Sequence, residues 1–157
     1  MAEDRRGLLP ALALPLAAGG LAAYLTGAAF GSYRLLRLPP LAPPGWAFPV
    51  VWTALYLLMG LASSRLWQSA DPARWEALAL YGAGLGLGFC WPLVFFRWGW
   101  WLAALALAVG LAVTAAALCR RAWAVDRMAG GLLLPYAVWC LYACYLNLGV
   151  YLLNPMA

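Results

Sequence analysis

The chain has 157 residues, 67% of them hydrophobic and only 10% charged, with a net charge of +5. A water-soluble domain carries about 25% charged residues, so a soluble fold is excluded. All ten basic residues are arginine, with no lysine and no histidine, which removes Schiff-base and imidazole chemistry; the arginines are scattered between apolar stretches rather than clustered, so nucleic acid is not an expected partner.

Five charge-free runs fill the sequence: residues 7–33, 45–64, 77–96, 98–119 and 128–157. A helix needs roughly 20 residues to cross a hydrocarbon core about 30 Å thick, and each run reaches that length. The runs are continuously apolar rather than alternating, so they predict helices and not barrel strands. The expected fold is an all-α integral membrane bundle of five transmembrane helices in a single domain spanning 1–157. The helices are placed at about 7–31, 45–67, 73–96, 98–119 and 128–152.

The first span follows Arg5-Arg6. Its full spanning length predicts a retained helix rather than a cleaved signal peptide. The segment 32–44 follows, with Arg34, Arg37 and prolines at 39, 40, 43 and 44. Proline holds it stiff and non-helical. It reads either as a lid or as a plain connector.

The second span carries Trp52, Thr53 and Tyr56 well inside its start. Asp71-Pro72 marks the opening of the third span, as a cap followed by proline. That span presents Ala79, Gly82, Ala83, Gly84, Gly86 and Gly88. Small residues four apart let helices approach in lipid; this face either packs within the bundle or, through Ala79 and Ala83, makes a homodimer contact. Trp91-Pro92 ends it, and Arg97 alone is expected to separate it from the fourth span. Residues 120–127 are expected to link the fourth span to the fifth, where Pro135 and Tyr136 precede Trp139 and Asn147.

With five crossings the termini lie on opposite sides. Arg5, Arg6, Arg65, Arg74, Arg120, Arg121 and Arg127 fall on one side; Arg34, Arg37 and Arg97 fall on the other. The positive-inside rule then places the N-terminus in the cytoplasm. A bacterial cytoplasmic membrane is the expected location, since spanning helices are rare in bacterial outer membranes.

The cysteines (Cys90, Cys119, Cys140, Cys144) sit in or at the ends of spans. Without histidine and with almost no intramembrane carboxylate they read as small apolar side chains, and no metal site is expected. Most tryptophans sit near span ends, as an interfacial belt. Trp52, Trp91 and Trp139 lie deeper. Their rings either fill the bundle core or line an apolar cavity opened by the kinks at Pro92 and Pro135.

The stretch Pro43-Pro44-Gly45-Trp46, continuing through Trp52, Leu55-Tyr56 and Met59-Gly60, resembles the P-P-x-W-x(5)-W-x(2)-L-Y-x(2)-M-G signature of the TspO/MBR family of tryptophan-rich sensory and translocator proteins. Trp91-Pro92-Leu93-Val94-Phe95-Phe96 is similar to that family's W-P-x-x-F-F. Pro135-Tyr136-Ala137-Val138-Trp139 with Leu146-Asn147 is similar to its P-Y-x-x-W…L-N. The resemblance implies a five-helix bundle, often a homodimer, with a pocket toward the loop between the first two spans. It implies porphyrins such as protoporphyrin IX as ligands, with no resident cofactor, in a sensor or carrier role. By position Trp52, Tyr56, Trp91, Trp139, Ala143 and Asn147 match pocket positions. Arg34 or Arg37 would meet the porphyrin propionates.

Some positions depart from the family. Gly84 and Gly88 stand where it often has glutamine and asparagine, so a larger and less polar pocket is expected there. Leu41 replaces a tryptophan. No basic residue follows Tyr151, so the animal sterol pattern is incomplete. The resemblance also implies two alternatives. One is light-dependent porphyrin breakdown with Trp52 and Trp139 as electron donors. The other is passive transport of apolar solutes; the spans lack the buried carboxylates that couple active pumping.

Overall fold

The computed structural model describes residues 3–27 and 30–155, with the side chains of 7–27, 31 and 33–155. The Arg5 and Arg6 side chains, and residues 28 and 29 of the expected first span, lie outside the described residues. The elements are α1 (Glu3–Thr26), a short α2 (Phe30–Tyr33), α3 (Ala47–Gln68), α4 (Arg74–Pro92) running into a π-helical turn (Leu93–Arg97), α5 (Trp101–Val125) and α6 (Arg127–Leu153). Five helices are long and apolar enough to cross a membrane, and no strand occurs among the described residues.

The long helices form a closed ring in the order α1, α3, α6, α5, α4 and back to α1. Small residues set these contacts. Ala104, Ala108, Ala112, Ala115 and Ala122 run down the buried side of α5, letting α4 and α6 approach closely. At the α1–α3 crossing, a Cβ on Gly60 would stand 2.8 Å from the Ala11 carbonyl oxygen and 2.9 Å from Leu12 Cα. One built on Gly19 would run into the Tyr56 ring. Glycine is required at Gly60 because no side chain fits between the two backbones, and at Gly19 because the Tyr56 ring lies against it.

Two connections differ from the expected ones. The fourth span does not stop at 119: α5 continues through Arg120 and Arg121 to Val125, and Asp126 alone joins it to α6. Charged residues can continue a helix beyond the bilayer when they find partners, and Arg121 pairs with Glu76 of α4 at 2.9 Å. Asp126 stops α5 by adopting an extended backbone and caps α6 by accepting from the Ala129 amide at 2.8 Å. It also takes a two-pronged contact from Arg65 at 2.8 and 3.1 Å.

Nor does Arg97 by itself make the turn between the third and fourth spans. Pro92 cannot donate a backbone hydrogen bond, and the helix widens after it. The Trp98 amide reaches back five residues to the Leu93 carbonyl at 3.1 Å. Gly99, at φ +65°, then reverses the chain. Arg97 reaches across to the Leu25 carbonyl at 2.9 Å and satisfies the C-terminal end of α1.

The proline-rich segment after Tyr33 is fastened to α6. The Arg37 amide donates to Asn154 Oδ1, and Asn154 Nδ2 donates back to the Arg37 carbonyl, both at 3.0 Å. Tyr142 and Tyr145 donate their hydroxyls to the Leu41 and Pro40 carbonyls at 2.5 and 2.7 Å. Pro39 sits so close on Gly149 that a Cβ there would meet it at 2.5 Å. The segment therefore roofs one end of the bundle.

Candidate functional site: two cavities divided by an aromatic wall

Beneath this roof the described residues line two spaces. The larger, about 570 Å³, lies between α1, α3 and the end of α4. Such a volume falls in the usual range for small-molecule pockets, about 300–1,000 Å³. Its α1 wall is made of Leu16, Gly19, Gly20, Ala22 and Ala23, and its far wall of Phe48, Trp52, Tyr56, Trp91 and Phe96. Gly88 opens the α4 side, where a Cβ would meet nothing within 4 Å. Arg34 stands exposed at the rim, and its guanidinium makes no ion pair among the described residues.

The smaller space, about 10 Å³, lies directly under the roof and is bounded by Tyr33, Pro39, Trp139, Ala143 and Asn147. That is about one water-sized probe. Phe48, Trp52 and Trp91 border both spaces and divide them.

The wall is fixed by its own contacts. The Trp91 Nε1–H donates to Asn147 Oδ1 at 3.1 Å, and Asn147 Nδ2 donates to the Ala143 carbonyl at 2.7 Å. Trp91 stacks on Phe95 with centroids 5.2 Å apart. Phe48 meets Tyr33, Phe96 and Trp139 edge-on at 5.3, 6.1 and 6.2 Å. Edge-to-face geometry suits the opposed charges of ring face and ring edge. Tyr33 is held at the top by donating to the Pro43 carbonyl at 3.2 Å. Burial pushes its phenol up to about 12, so it remains a neutral donor.

The expected site residues separate accordingly. Trp52, Tyr56, Trp91, Gly88 and Arg34 surround the larger cavity. Trp139, Ala143 and Asn147 border only the smaller one. Gly84 borders neither: it packs toward α6, where a Cβ would stand 3.2 Å from the Tyr136 hydroxyl. Ala79 and Ala83 are exposed on the outer face of α4, in line with Gly82, Gly86 and Cys90.

The α1 wall escaped the sequence reading. Its one signal was the adjacent pair Gly19-Gly20, unusual inside a lipid-facing helix unless something packs there. No carboxylate borders either space, and among the described residues no group of three or more His, Cys, Asp or Glu side chains could hold a metal. The arrangement can enclose an apolar, ring-shaped molecule, stack on it, and meet a negative group at the rim.

The sequence is similar to known proteins over most of its length. The family model described as "TspO/MBR family" matches residues 11–153. The translocator protein of Bos taurus is 37% identical over 142 residues, covering 85% of this chain and 82% of that one. The protein CrtK of Rhodobacter capsulatus is 32% identical over 135 residues, covering 83% and 84%. The tryptophan-rich sensory protein of Cereibacter sphaeroides is 37% identical over 122 residues, covering 78% and 76%. A match across nearly all five spans, together with the aromatic wall built from the same motifs, makes this integral membrane protein a member of the TspO/MBR family.

Proposed function

We propose that this protein binds a flat hydrophobic ligand of the porphyrin class in the cavity between α1, α3 and α4, as a sensor or carrier. One observation carries the reading: a space of about 570 Å³ faced by Trp52, Tyr56 and Trp91, with the exposed Arg34 at its rim. The rings supply stacking surface, and the guanidinium supplies a charged partner for a propionate. A dark titration of the purified protein with protoporphyrin IX, followed by tryptophan quenching, tests it. Saturable quenching that Trp52→Ala weakens at least tenfold supports the assignment; unchanged binding in that variant removes it.

A second reading, light-dependent porphyrin breakdown, has one observation in its favour. Trp52 borders the cavity and lies 5.4 Å from Tyr56, ring to ring, where an indole can give an electron to an excited ligand. On this geometry any photoproduct depends on Trp52 and not on Trp139, which faces the smaller space. Illumination of the loaded protein, followed by absorbance, separates turnover from binding.

The exposed small-residue stripe through Ala79 and Ala83 supports packing against a second copy. Ala83→Leu with Gly86→Leu would then convert the dimer to a monomer in detergent. The arginine distribution supports an N-terminus inside a bacterial cytoplasmic membrane. Cysteine labelling from either side of a closed vesicle checks that orientation.

A further inference from the structure

Beyond the Trp52–Tyr56 pair, away from the roof, lies a group of polar side chains that neither cavity includes. Tyr136 on α6 is 1% exposed and Tyr81 on α4 is 5% exposed. Both hydroxyl oxygens are buried with no hydrogen-bond partner among the described residues. Around the Tyr136 hydroxyl stand Cys140, one turn further along α6, together with Tyr56 and Tyr81. Ser63 of α3 stands beside Tyr81. Ser63 directs its own proton to the Gly60 carbonyl at 3.0 Å. Neither it nor the Cys140 thiol meets a tyrosine at bonding geometry.

Gly84 is central to this arrangement. The Tyr136 hydroxyl faces α4 at Gly84, which has no side chain; a Cβ there would be 3.2 Å away. Buried hydroxyls in native proteins nearly always have a partner. In a bilayer core an orphan is least tolerable, because no bulk water is near. Two such groups, one on α4 and one on α6, therefore point to an occupant. The charged residues of the spans all lie near their ends, so nothing balances an ion there, and an ion in the membrane interior is costly.

We propose that Tyr81 and Tyr136 form a neutral polar subsite that holds one uncharged oxygen acceptor at the centre of the bundle. The acceptor is either a water molecule or the carbonyl oxygen of an apolar molecule reaching past Tyr56. The subsite does not rest on the porphyrin reading and survives its failure.

The test uses the full chain in detergent. Tyr81→Phe and Tyr136→Phe each remove one hydroxyl and keep the ring. With the subsite filled, each substitution strips hydrogen bonds and lowers Tm, by about 2–4 °C for a bond of ordinary strength. With the hydroxyls bare, each substitution relieves an unpaired group and raises Tm.

Infrared spectra identify the source of the oxygen. An O–H band of the unliganded protein that shifts in ¹⁸O-water and vanishes in Tyr136→Phe assigns it to water. Benzophenone labelled with ¹³C at its carbonyl is the second probe. A carbonyl band lowered in the wild type and restored in Tyr136→Phe, with loss of the ¹⁸O-sensitive band, assigns the oxygen to the ketone. A fall in Tm with either band supports the subsite. A rise in Tm, or the absence of both bands, overturns it.

Discussion

Trp91 of α4 and Asn147 of α6 are joined side chain to side chain, the indole N–H donating to the amide oxygen across 3.1 Å. Both are buried. The amide nitrogen is taken by the Ala143 carbonyl, so its orientation is set and it presents the oxygen to the indole. Asn147 therefore acts as the support of the wall between the two spaces and not as a free amide facing a ligand.

Replacing Asn147 by alanine leaves a buried indole N–H without a partner. The expected loss is about 1–3 kcal/mol, and Trp91 gains freedom to move toward the space vacated. Thermal unfolding measures the first effect. A red-shifted, broadened tryptophan emission reports the second.

The glycines of α3 and α4 have opposite sensitivities. Gly60→Ala forces α1 away, because the added carbon would press on the backbone of Ala11 and Leu12. A loss of about 1–3 kcal/mol is expected, as for overpacking elsewhere. Gly88→Ala meets open space, and is expected to be neutral or stabilising by up to about 1 kcal/mol from helix propensity alone. Paired melting curves of the two variants check the contrast.

Asp126 couples the protein to acid. The hydrogen bond from Arg65, with a smaller contribution from the Ala129 amide, holds its carboxyl below the ordinary value, against the opposing effect of burial. A depressed carboxylate contributes stability that is complete above its unfolded value, about 3.9. That contribution is lost as pH falls through the lower folded value. Asp126→Asn should flatten this part of the pH–stability profile below about pH 4. Because the pair is partly exposed and asparagine keeps the helix cap, the loss at neutral pH is expected to be small, at most about 1 kcal/mol, most of it from the pair with Arg65. Melting from pH 3 to pH 7 measures both.

The roof carries a strained residue. Leu41 has φ +63°, in the turn closed by the Ala42 amide on the Pro39 carbonyl at 3.2 Å. That position normally suits glycine. The hydrogen bonds of Tyr142 and Tyr145 to the Leu41 and Pro40 carbonyls hold it there. Leu41→Gly is expected to slow amide exchange across 36–42 by up to about fivefold, matching roughly 1 kcal/mol of relieved strain. Tyr142→Phe/Tyr145→Phe is expected to speed it. Hydrogen exchange by mass spectrometry reads both.

The spans were legible because a run of 20 or more uncharged residues has few alternatives to a membrane helix. The end of α5 was not, since Arg120-Arg121 looks like a boundary until Glu76 supplies a partner for Arg121. Trp52 and Trp91 of the aromatic wall could be named from their motifs, but Phe48, at a variable position of its motif, could not. Nor could the wall's role as a partition, because that depends on a bond between residues 91 and 147 on different helices. The assignment of Gly84 and Gly88 to one space followed from the resemblance, which often has glutamine and asparagine at the two positions. In the structure Gly88 faces open volume while Gly84 faces Tyr136; where α1 and α6 lie around α4 decides this, and spacing alone does not encode it.

The most direct test of the account fills the larger cavity without touching the wall. Gly88→Leu places a side chain into volume that is empty in the structure, and its melting curve should match that of the wild type. A dark titration with protoporphyrin IX is then predicted to show affinity lowered at least tenfold in Gly88→Leu and unchanged in Trp139→Phe. Full affinity in a folded Gly88→Leu variant would contradict a ligand site between α1, α3 and α4.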